Sequence, residues 1–415
     1  MLQVLATSWA LLLGMGLLRV GNGVQGTLLG VRGAIEGFST FEMSLVMSAY
    51  FLGFLGGSKL APEMIRRVGH VRVFAALGSL ISAVLLLYAV IPDWIAWTLM
   101  RVVIGFCFSA VYVTAESWLN NAATNENRGK ALSLYMIVQM LGIIAAQALM
   151  NLADPAGFLL FVIPSVLVSL AFAPILLSVT PAPVFETTKA MRLIELFRFS
   201  PLGCVGMFLL GGVFSALFGM ASVWGTLAGL SVLEISLFVS AIFAGGLVLQ
   251  YPIGWVSDRM DRRRLIGGIA ALCALAALVP VVLDPGLPGL LAVGFAVGGI
   301  SNPLYALLLA HTGDFLERED MAAASGGLLF VNGLGAVSGP LVAAWLMERI
   351  GPDGFFLQIA VLVGLIAAYA AWRMTRRPSV PVEETAPFTA VTPAASVVAV
   401  GAAAETGMAN EDAAA

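Results

Sequence analysis

The chain has 415 residues, of which 60% are hydrophobic and 11% are charged, and its formal net charge is -3. Because about a quarter of the residues in ordinary soluble domains are charged, this composition excludes a water-soluble globule. The bases form no stripe that could follow a phosphate backbone, so a nucleic-acid-binding protein is excluded as well. Apolar runs of about 20 residues, long enough to cross a hydrocarbon core about 30 Å thick, recur along the chain. The composition therefore predicts an all-helical protein in a lipid bilayer.

Apolar windows, bounded by charged residues or by Gly and Pro, predict twelve transmembrane helices. The windows lie near residues 5–30, 40–59, 72–91, 94–119, 130–152, 157–180, 201–229, 234–256, 265–283, 287–311, 322–347 and 354–373. The first window is not preceded by Lys or Arg and has no small-residue cleavage site, which predicts a retained helix rather than a signal peptide.

The windows divide the chain into two bundles of six helices. Residues 1–180 form the first bundle, 181–200 a polar cytoplasmic linker, and 201–377 the second bundle. Residues 378–415 contain five acids, no base and little apolar bulk, which predicts a disordered cytoplasmic tail.

The distribution of Lys and Arg predicts the orientation of the chain, because bases in short loops stay on the cytoplasmic side. With the N terminus inside, 17 of the 21 bases fall on cytoplasmic segments and two, Arg32 and Arg349, on outer loops. The other two, Arg19 and Arg101, lie within predicted helices. We therefore expect a multi-pass protein of a bacterial inner membrane with both termini in the cytoplasm.

The two bundles are related by an internal repeat. Residues Ser39, Glu42, Ser44, Leu45, Ser48, Ala49 and Phe51 recur 192 positions later, and Gly105, Tyr112 and Gly142 recur 193 positions later. The segment Gly26-Thr-Leu-Leu-Gly30 matches Gly225-Thr-Leu-Ala-Gly229 at an offset of 199, which predicts a first outer loop about seven residues longer in the first half. Because each repeat has an even number of helices, the two halves are parallel, as in one class of secondary transporters with a solute site between the halves.

A loop motif follows the eighth window and reads Gly254-Trp-Val-Ser-Asp258-Arg259-Met-Asp261-Arg262-Arg263-Arg264. A plain positive-inside loop would explain the bases but not the spacing of the Gly and the Asp. The motif resembles the loop signature of the major facilitator superfamily, G-x-x-x-D-R-x-G-R-R, with Asp261 in place of a Gly. This resemblance implies gating roles for Asp258, Arg259 and Arg262. The copy in the first half, from Gly57 to Arg72, lacks the Asp, which predicts a weaker latch there.

Further motifs extend the resemblance over residues 1 to about 375. Arg101-Val-Val-Ile-Gly105 is similar to the superfamily's R-x-x-x-G element, and the segments around Glu116, Arg128 and Tyr135 resemble the uncharacterised bacterial YcaD-type branch. Gly335-Ala-Val-Ser-Gly339-Pro340 resembles the kink motif of antiporters. In drug antiporters this kink lies in the fifth helix, where this chain has Gly142-Ile-Ile-Ala-Ala146 without the Pro.

Polar residues within the predicted helices are the candidates for solute binding. A base at a helix centre costs about 2.5 to 3.5 kcal/mol on insertion scales, so Arg19 is expected to face a cavity or a partner. Asn22 and Gln25 share its face at helical spacing. The complete candidate set is Arg19, Asn22, Gln25, Tyr112, Gln139, Trp224, Asn302, Tyr305 and Asn332. The alternative for each of these residues is a helix-packing role.

Other polar residues are candidates for gating or coupling. Arg101 either faces the cavity or extends to the interface. Glu116 either forms an inner gate with Arg128, which we favour, or carries a proton. The complete set is Arg101, Glu116, Arg128, Asp258, Arg259, Arg262, Gly339 and Pro340.

The sequence favours a secondary transporter of a small organic solute that works by alternating access and is coupled to a proton gradient. The chain has no phosphate-binding loop, no H-E-x-x-H and no G-x-S-x-G motif, so we expect neither ATP hydrolysis nor another catalytic activity. The spacing of the three cysteines and the lone His311 near Asp314 give no reason to expect a metal or a cofactor. We expect a monomer. The alternatives are a proton-driven multidrug efflux antiporter and a non-transporting sensor or scaffold.

Overall fold

The computed structural model describes residues 2–122, 128–176, 191–316 and 320–376, with residues 380, 381, 385, 388 and 391; side chains are not described for 2–8, 121–122, 128–129, 175–176 and 322. This part of the chain contains helices and no β-strand. The first half comprises α1 (Leu2–Ile35), α2 (Thr40–Val68), α3 (His70–Val90), α4 (Trp94–Ala122), α5 (Arg128–Leu149) and α6 (Leu159–Leu176). The second half comprises α7 (Leu193–Phe199), α8 (Pro201–Ser215), a π-helical turn (Ala216–Met220), α9 (Ala221–Leu227), α10 (Val232–Ser257), α11 (Arg262–Val282), α12 (Gly286–Gly313), α13 (Met321–Ile350) and α14 (Asp353–Met374).

Helices occur at all twelve predicted positions, since α8, the π turn and α9 together form the seventh. Ten helices of the described chain are long and apolar enough to cross a membrane. The other two are α1 and α6; the described part of α6 is a shorter apolar helix, Leu159–Pro174. The short α7 lies within the predicted polar linker, where the sequence did not predict a helix. Its Leu196 is buried against Gly327 of α13.

The repeat is visible in identical helix starts. Ser39 caps α2 and Ser231 caps α10, and each Ser hydroxyl accepts a hydrogen bond from the backbone N–H of a Glu three residues on. In return, the carboxylates of Glu42 and Glu234 each accept from the backbone N–H of their Ser at 2.7 Å. These capping boxes satisfy backbone donors that a helix start leaves unpaired. The same hydrogen bonds at equivalent positions thus support the predicted homology of the two halves.

The first connection has the same length in both halves, so the predicted seven-residue difference is wrong. Four residues, 36–39, join α1 to α2, and four residues, 228–231, join α9 to α10. Gly37 and Gly229, 192 positions apart, both have positive φ, at 79° and 76°. The match between Gly26 and Gly225 misled the alignment because the first segment lies inside α1 while the second includes the end of α9.

In each half, a glycine brings the second helix into close contact with the fourth. A Cβ at Gly53 of α2 would overlap the backbone carbonyl of Val102 in α4, and a Cβ at Gly245 of α10 would overlap that of Phe295 in α12. Small residues allow this close approach of backbones, on which helix association in a bilayer depends. The same crossing therefore fixes the second and fourth helices of each half.

The two halves contact each other through several helix pairs, including α2 with α13, α5 with α10 and α1 with α9, and glycines lie at two of these contacts. Leu55 of α2 packs on Gly333 of α13, near the middle of both helices. Gly30, near the end of α1, packs on Ser222 of α9 so closely that a Cβ at residue 30 would overlap the Ser hydroxyl. This second contact lies at the side predicted to be extracellular.

Candidate solute-binding site

A cavity of about 1340 Å³, including its open part, lies between the two halves. Its lining comes from α1, α2, α4 and α5 of the first half and from α8 to α10, α12 and α13 of the second. These are the first, second, fourth and fifth helices of each repeat. Equivalent helices of the two halves therefore line the cavity, as expected for halves that are related by a pseudo-twofold axis.

Arg19 of α1 contributes a buried cation to the cavity wall, with 7% of its surface exposed. Its Nη1 donates to the hydroxyl of Tyr112 in α4 at 2.8 Å, and its guanidinium carbon lies 4.7 Å from the centre of that ring. Asn22, one turn further along α1, donates from its side-chain amide to the hydroxyls of Tyr50 at 3.1 Å and of Tyr112 at 3.0 Å. Two tyrosine hydroxyls thus position the polar face of α1.

Arg101 of α4 contributes a second buried cation, 3% exposed. Its Nη1 donates to Oε1 of Gln25 at 3.3 Å, and its Nη2 lies 3.1 Å from the sulfur of Met47. The guanidinium carbon lies 5.0 Å from the ring centre of Tyr50. The side chain therefore points into the bundle and does not extend to the interface. Tyr50 therefore lies beside Arg101 and also accepts a hydrogen bond from Asn22, the neighbour of Arg19.

Amide side chains of α5 complete the wall of the first half. Gln147 accepts a hydrogen bond from the hydroxyl of Thr27 at 3.0 Å. Gln139 is buried, lines the cavity, and its Oε1 has no hydrogen-bond partner among the described residues. Gln139 is the repeat equivalent of Asn332, which lines the cavity from α13 and donates to the carbonyl of Met207 at 2.9 Å.

Aromatic rings form the opposite wall. Phe218 stacks between Phe214 and Phe243, with ring centres 5.5 Å and 4.9 Å away and interplanar angles of 13° and 18°. Phe218 belongs to the π-helical turn, and such turns occur frequently at functional sites. Nearby, Asn302 of α12 donates to the carbonyl of Gly298 at 3.0 Å, and its Oδ1 has no partner among the described residues.

Five of the nine predicted solute-binding residues line the cavity, namely Arg19, Asn22, Gln139, Asn302 and Asn332. Gln25 and Tyr112 lie behind the wall and hydrogen-bond to its cations. Tyr305 is buried beside Phe214, with 6.2 Å between ring centres. Trp224 is packed between Phe238, Phe355 and Phe356 and does not line the cavity.

Several lining residues were not predicted, among them Tyr50, Phe214 and Phe218. Aromatic residues in apolar helices give no signal that distinguishes a cavity wall from helix packing. Phe51 and Phe243 were not predicted either, but the sequence contains a signal for them, because they are equivalent positions of the repeat and both line the cavity.

Three of the eight predicted gating residues, Asp258, Arg259 and Arg262, lie in the loop between α10 and α11 or at the first residue of α11. Asp258 ends α10, and its Oδ1 accepts a hydrogen bond from the backbone N–H of Phe388, in the tail, at 2.7 Å. The ring of Phe388 covers Gly254, and Val391 is buried. The sequence did not predict these tail contacts, and most of residues 378–415 lie outside the described residues. Arg259 stacks on Trp255, 4.0 Å from its ring centre.

An ion pair and a helix cap hold the rest of this loop in place. Arg262 is buried and pairs with Asp314, at the end of α12, at 2.5 Å. Asp261 caps α11 by accepting from the backbone N–H of Arg263 at 3.0 Å. Burial alone would raise the pKa of Asp261, but the hydrogen bonds from the side chain and backbone of Arg263 outweigh it and hold the pKa below its ordinary value. This capping role accounts for the acid at the position where the motif has Gly.

The remaining gating candidates lie on both halves. Glu116 of α4 is fully buried and accepts from the hydroxyl of Tyr135 in α5 at 2.9 Å. Arg128 begins α5, and its side chain lies outside the described part of the chain, so its expected pairing with Glu116 stays a prediction. Gly339 of α13 packs on Ser215 of α8, where a Cβ would overlap the Ser hydroxyl, and its carbonyl accepts from Gln358 at 3.0 Å. Pro340 follows inside the same helix.

Comparison with known proteins agrees with this architecture. A family model described as Major Facilitator Superfamily matches residues 11–247 and 203–404. The chain belongs to this superfamily, whose members are membrane transporters. The resemblance inferred from the motifs is thereby confirmed.

Relatives include the Uncharacterized MFS-type transporter YcaD of Salmonella typhimurium, 27% identical over 360 residues that cover 84% of this chain and 91% of the relative. The protein of the same name from Escherichia fergusonii is 27% identical, with coverages of 90% and 97%. Solved structures with the same fold include the nucleoside transporter NupG (D323A mutant), with a TM-score of 0.73, 15% identity and coverages of 87% and 99%. The human organic anion transporter MFSD10 has a TM-score of 0.62, 16% identity and coverages of 88% and 98%.

Proposed function

We propose that this member of the superfamily is a secondary active transporter that moves a small organic solute by alternating access. The observation that carries the proposal is the cavity between the halves, lined by equivalent helices of both repeats. Transporters with parallel repeats hold their solute at this position and expose it by moving one half against the other. The chain acts as a carrier and not as an enzyme.

The helix packing supports a cavity with one closed end. The contact of Gly30 with Ser222 joins α1 to α9 at the edge of the cavity, one turn beyond the lining residue Thr27 and at the lining residue Ser222 itself. If both termini are cytoplasmic, as the bases predict, this end is extracellular. We infer that the solute enters the described state from the cytoplasmic side, in a bacterial inner membrane. One chain forms the whole cavity, which supports a monomeric carrier.

We infer that the transport is driven by the proton gradient. One charge moved through 100 mV gains about 2.3 kcal/mol, enough for roughly a fortyfold solute gradient. Glu116 is a buried carboxylate on a helix that lines the cavity, so its proton exchange and its role in the gate can be tested together.

The transport activity can be tested without knowledge of the solute. Proteoliposomes containing the purified full-length chain would be loaded with a pooled metabolite mixture, and the solutes that remain would be measured over time by mass spectrometry. We expect at least one solute to leave only when the protein is present, and a pH gradient to change its rate. Identical profiles for proteoliposomes and protein-free liposomes would contradict the proposal.

The role of Glu116 in coupling is tested with the transported solute. Because the gating role of Glu116 is the one we favour, we expect Glu116→Gln to change the rate with and without the pH gradient by the same factor, and the proton is then carried elsewhere. If Glu116 carries the proton, the variant will instead abolish the effect of the pH gradient on solute movement.

The main alternative is efflux of apolar drugs. The aromatic wall is compatible with such compounds, but two buried arginines disfavour the cationic drugs among them. In the same experiment, selective loss of lipophilic cations would favour the efflux function over the proposed one.

A further inference from the structure

The charge of the cavity indicates which solutes it accepts. Its described lining includes two arginines, Arg19 and Arg101, and contains no Asp, Glu, Lys or His. Neither guanidinium has a carboxylate within ion-pair distance among the described residues. The lining therefore carries an uncompensated positive charge.

The partners of the two cations are all neutral. Arg19 donates to a tyrosine hydroxyl, while Arg101 donates to an amide oxygen and approaches a thioether, which is a weak acceptor. The Nε atoms of both side chains are buried and have no hydrogen-bond partner among the described residues. Buried charges are normally paired, because removing them from water is costly. An anionic group that entered the cavity would supply the missing charge and the missing acceptors.

Comparison of the repeats shows that this charge is confined to one wall. The positions equivalent to Arg19, Asn22 and Arg101 in the second half are Gly211, Phe214 and Gly294, at offsets of 192, 192 and 193. Gly142 lies close to the backbone of Gly16, and its equivalent Gly335 lies close to the backbone of Phe208. Because residues 16 and 208 are 192 positions apart, these contacts support the offset of 192 in the first helix of each half. The structure thus places cations on one side of the cavity and a stack of three phenylalanine rings on the other.

One acceptor lies on the aromatic side. Oδ1 of Asn302 is buried and has no partner among the described residues, while Nδ2 of the same side chain is bonded to the carbonyl of Gly298. That bond fixes the orientation of the amide, so Oδ1 is the end that is left to accept a hydrogen bond from an N–H or O–H group.

We propose that the cavity binds an aromatic organic acid in its anionic form. The carboxylate lies between Arg19 and Arg101, the flat ring packs on Phe214, Phe218 and Phe243, and a donor on the ring bonds to Asn302. The inference rests on the proposed function in so far as this cavity is taken as the solute site, and it adds the chemical class of the solute.

Binding to the purified full-length chain tests the charge preference directly. The probes are a panel of aromatic carboxylates, each with its primary amide and its amine, led by indole-3-acetate, indole-3-acetamide and tryptamine. We expect carboxylates to raise the melting temperature and to bind at least about tenfold more tightly than their amides, because only the anion pairs with the buried guanidinium groups. If amides or amines bind as tightly as the acids, or no acid binds, the proposal is wrong.

Variants identify the groups responsible. We expect Arg101→Gln to lower affinity for indole-3-acetate at least about tenfold and to leave that for the amide within about twofold, with Arg101→Lys intermediate. Arg349→Gln is the control, because Arg349 lies beside Trp345 outside the cavity. Phe218→Leu should weaken aromatic acids more than cyclohexaneacetate, which has no aromatic face. Equal loss for acid and amide in the Arg101→Lys and Arg101→Gln proteins would contradict charge recognition.

Flux separates this inference from the proposed function. If acids bind in the cavity but neither the acids nor any pooled metabolite crosses the membrane, the carrier function fails and the binding class stands. If neutral or cationic solutes are transported and acids are not bound, the carrier function stands and the inferred class fails.

Discussion

Arg19 illustrates how much of the site could be predicted at the residue scale. The cost of a base inside a helix was sufficient to select Arg19 and its neighbour Asn22, and the structure places both on the cavity wall. The partners that hold them, Tyr50 and Tyr112, come from other helices. Tyr112 was selected only through the repeat, and nothing in the sequence selected Tyr50. Contacts between helices depend on packing, which the sequence pattern does not encode.

Replacement of Arg19 tests its role in binding. We expect Arg19→Gln to weaken the affinity for an aromatic acid at least tenfold, which corresponds to about 1.4 kcal/mol. Removal of a buried cation that has no ion-pair partner relieves its desolvation cost, which offsets the lost contacts with Tyr112, so the melting temperature should be unchanged or higher. Isothermal titration and thermal unfolding of the same purified variant give both quantities. Unchanged affinity with a lower melting temperature would show that Arg19 serves only to join helices.

At the scale of helices, apolar windows predicted all twelve positions, while local irregularities were not predicted. The helix α7 was missed because seven residues of mixed polarity in a polar linker give no apolar run. The π turn Ala216–Met220 has no distinctive residue, yet it presents Phe218 to the cavity. The false match of Gly26 with Gly225 arose because glycines are frequent on both first helices.

The glycine crossings allow a matched test on one helix. We expect Gly53→Ala to destabilise the protein by about 1 to 3 kcal/mol, because the new methyl group would overlap the backbone of α4. Gly56→Ala is the control, since its Cβ would make only an ordinary contact with Phe106, 3.6 Å away. Gly245→Ala should repeat the effect in the second half. Melting temperatures in detergent measure the difference; equal values for residues 53 and 56 would contradict the account of this crossing.

At the scale of the whole molecule, we expect the tail to contribute little to the stability of the bundle. The contacts of its described residues include a hydrogen bond to Asp258, the ring of Phe388 on Gly254 and the buried Val391. A hydrogen bond of this kind contributes about 1 kcal/mol, so we expect a chain truncated after Arg377 to remain folded with a melting temperature only a few degrees lower. Size-exclusion chromatography and thermal unfolding check this. Aggregation of the truncated chain would show that the tail is part of the fold.

The central claim is that the two halves move against each other around the cavity. A disulfide between residues 30 and 222, in a chain whose three natural cysteines are replaced by Ala, would join α1 to α9. A Cβ at residue 30 lies 2.8 Å from that of Ser222. Because Cβ atoms in disulfides are about 3.8 Å apart, the helices need to separate by only about 1 Å.

Solute flux through this cross-linked chain in proteoliposomes is the most direct measurement. We predict that the disulfide abolishes flux of a solute that the unlinked chain transports, preserves binding from the open side, and that reduction restores flux. Full flux through a completely cross-linked chain would contradict alternating access at this interface.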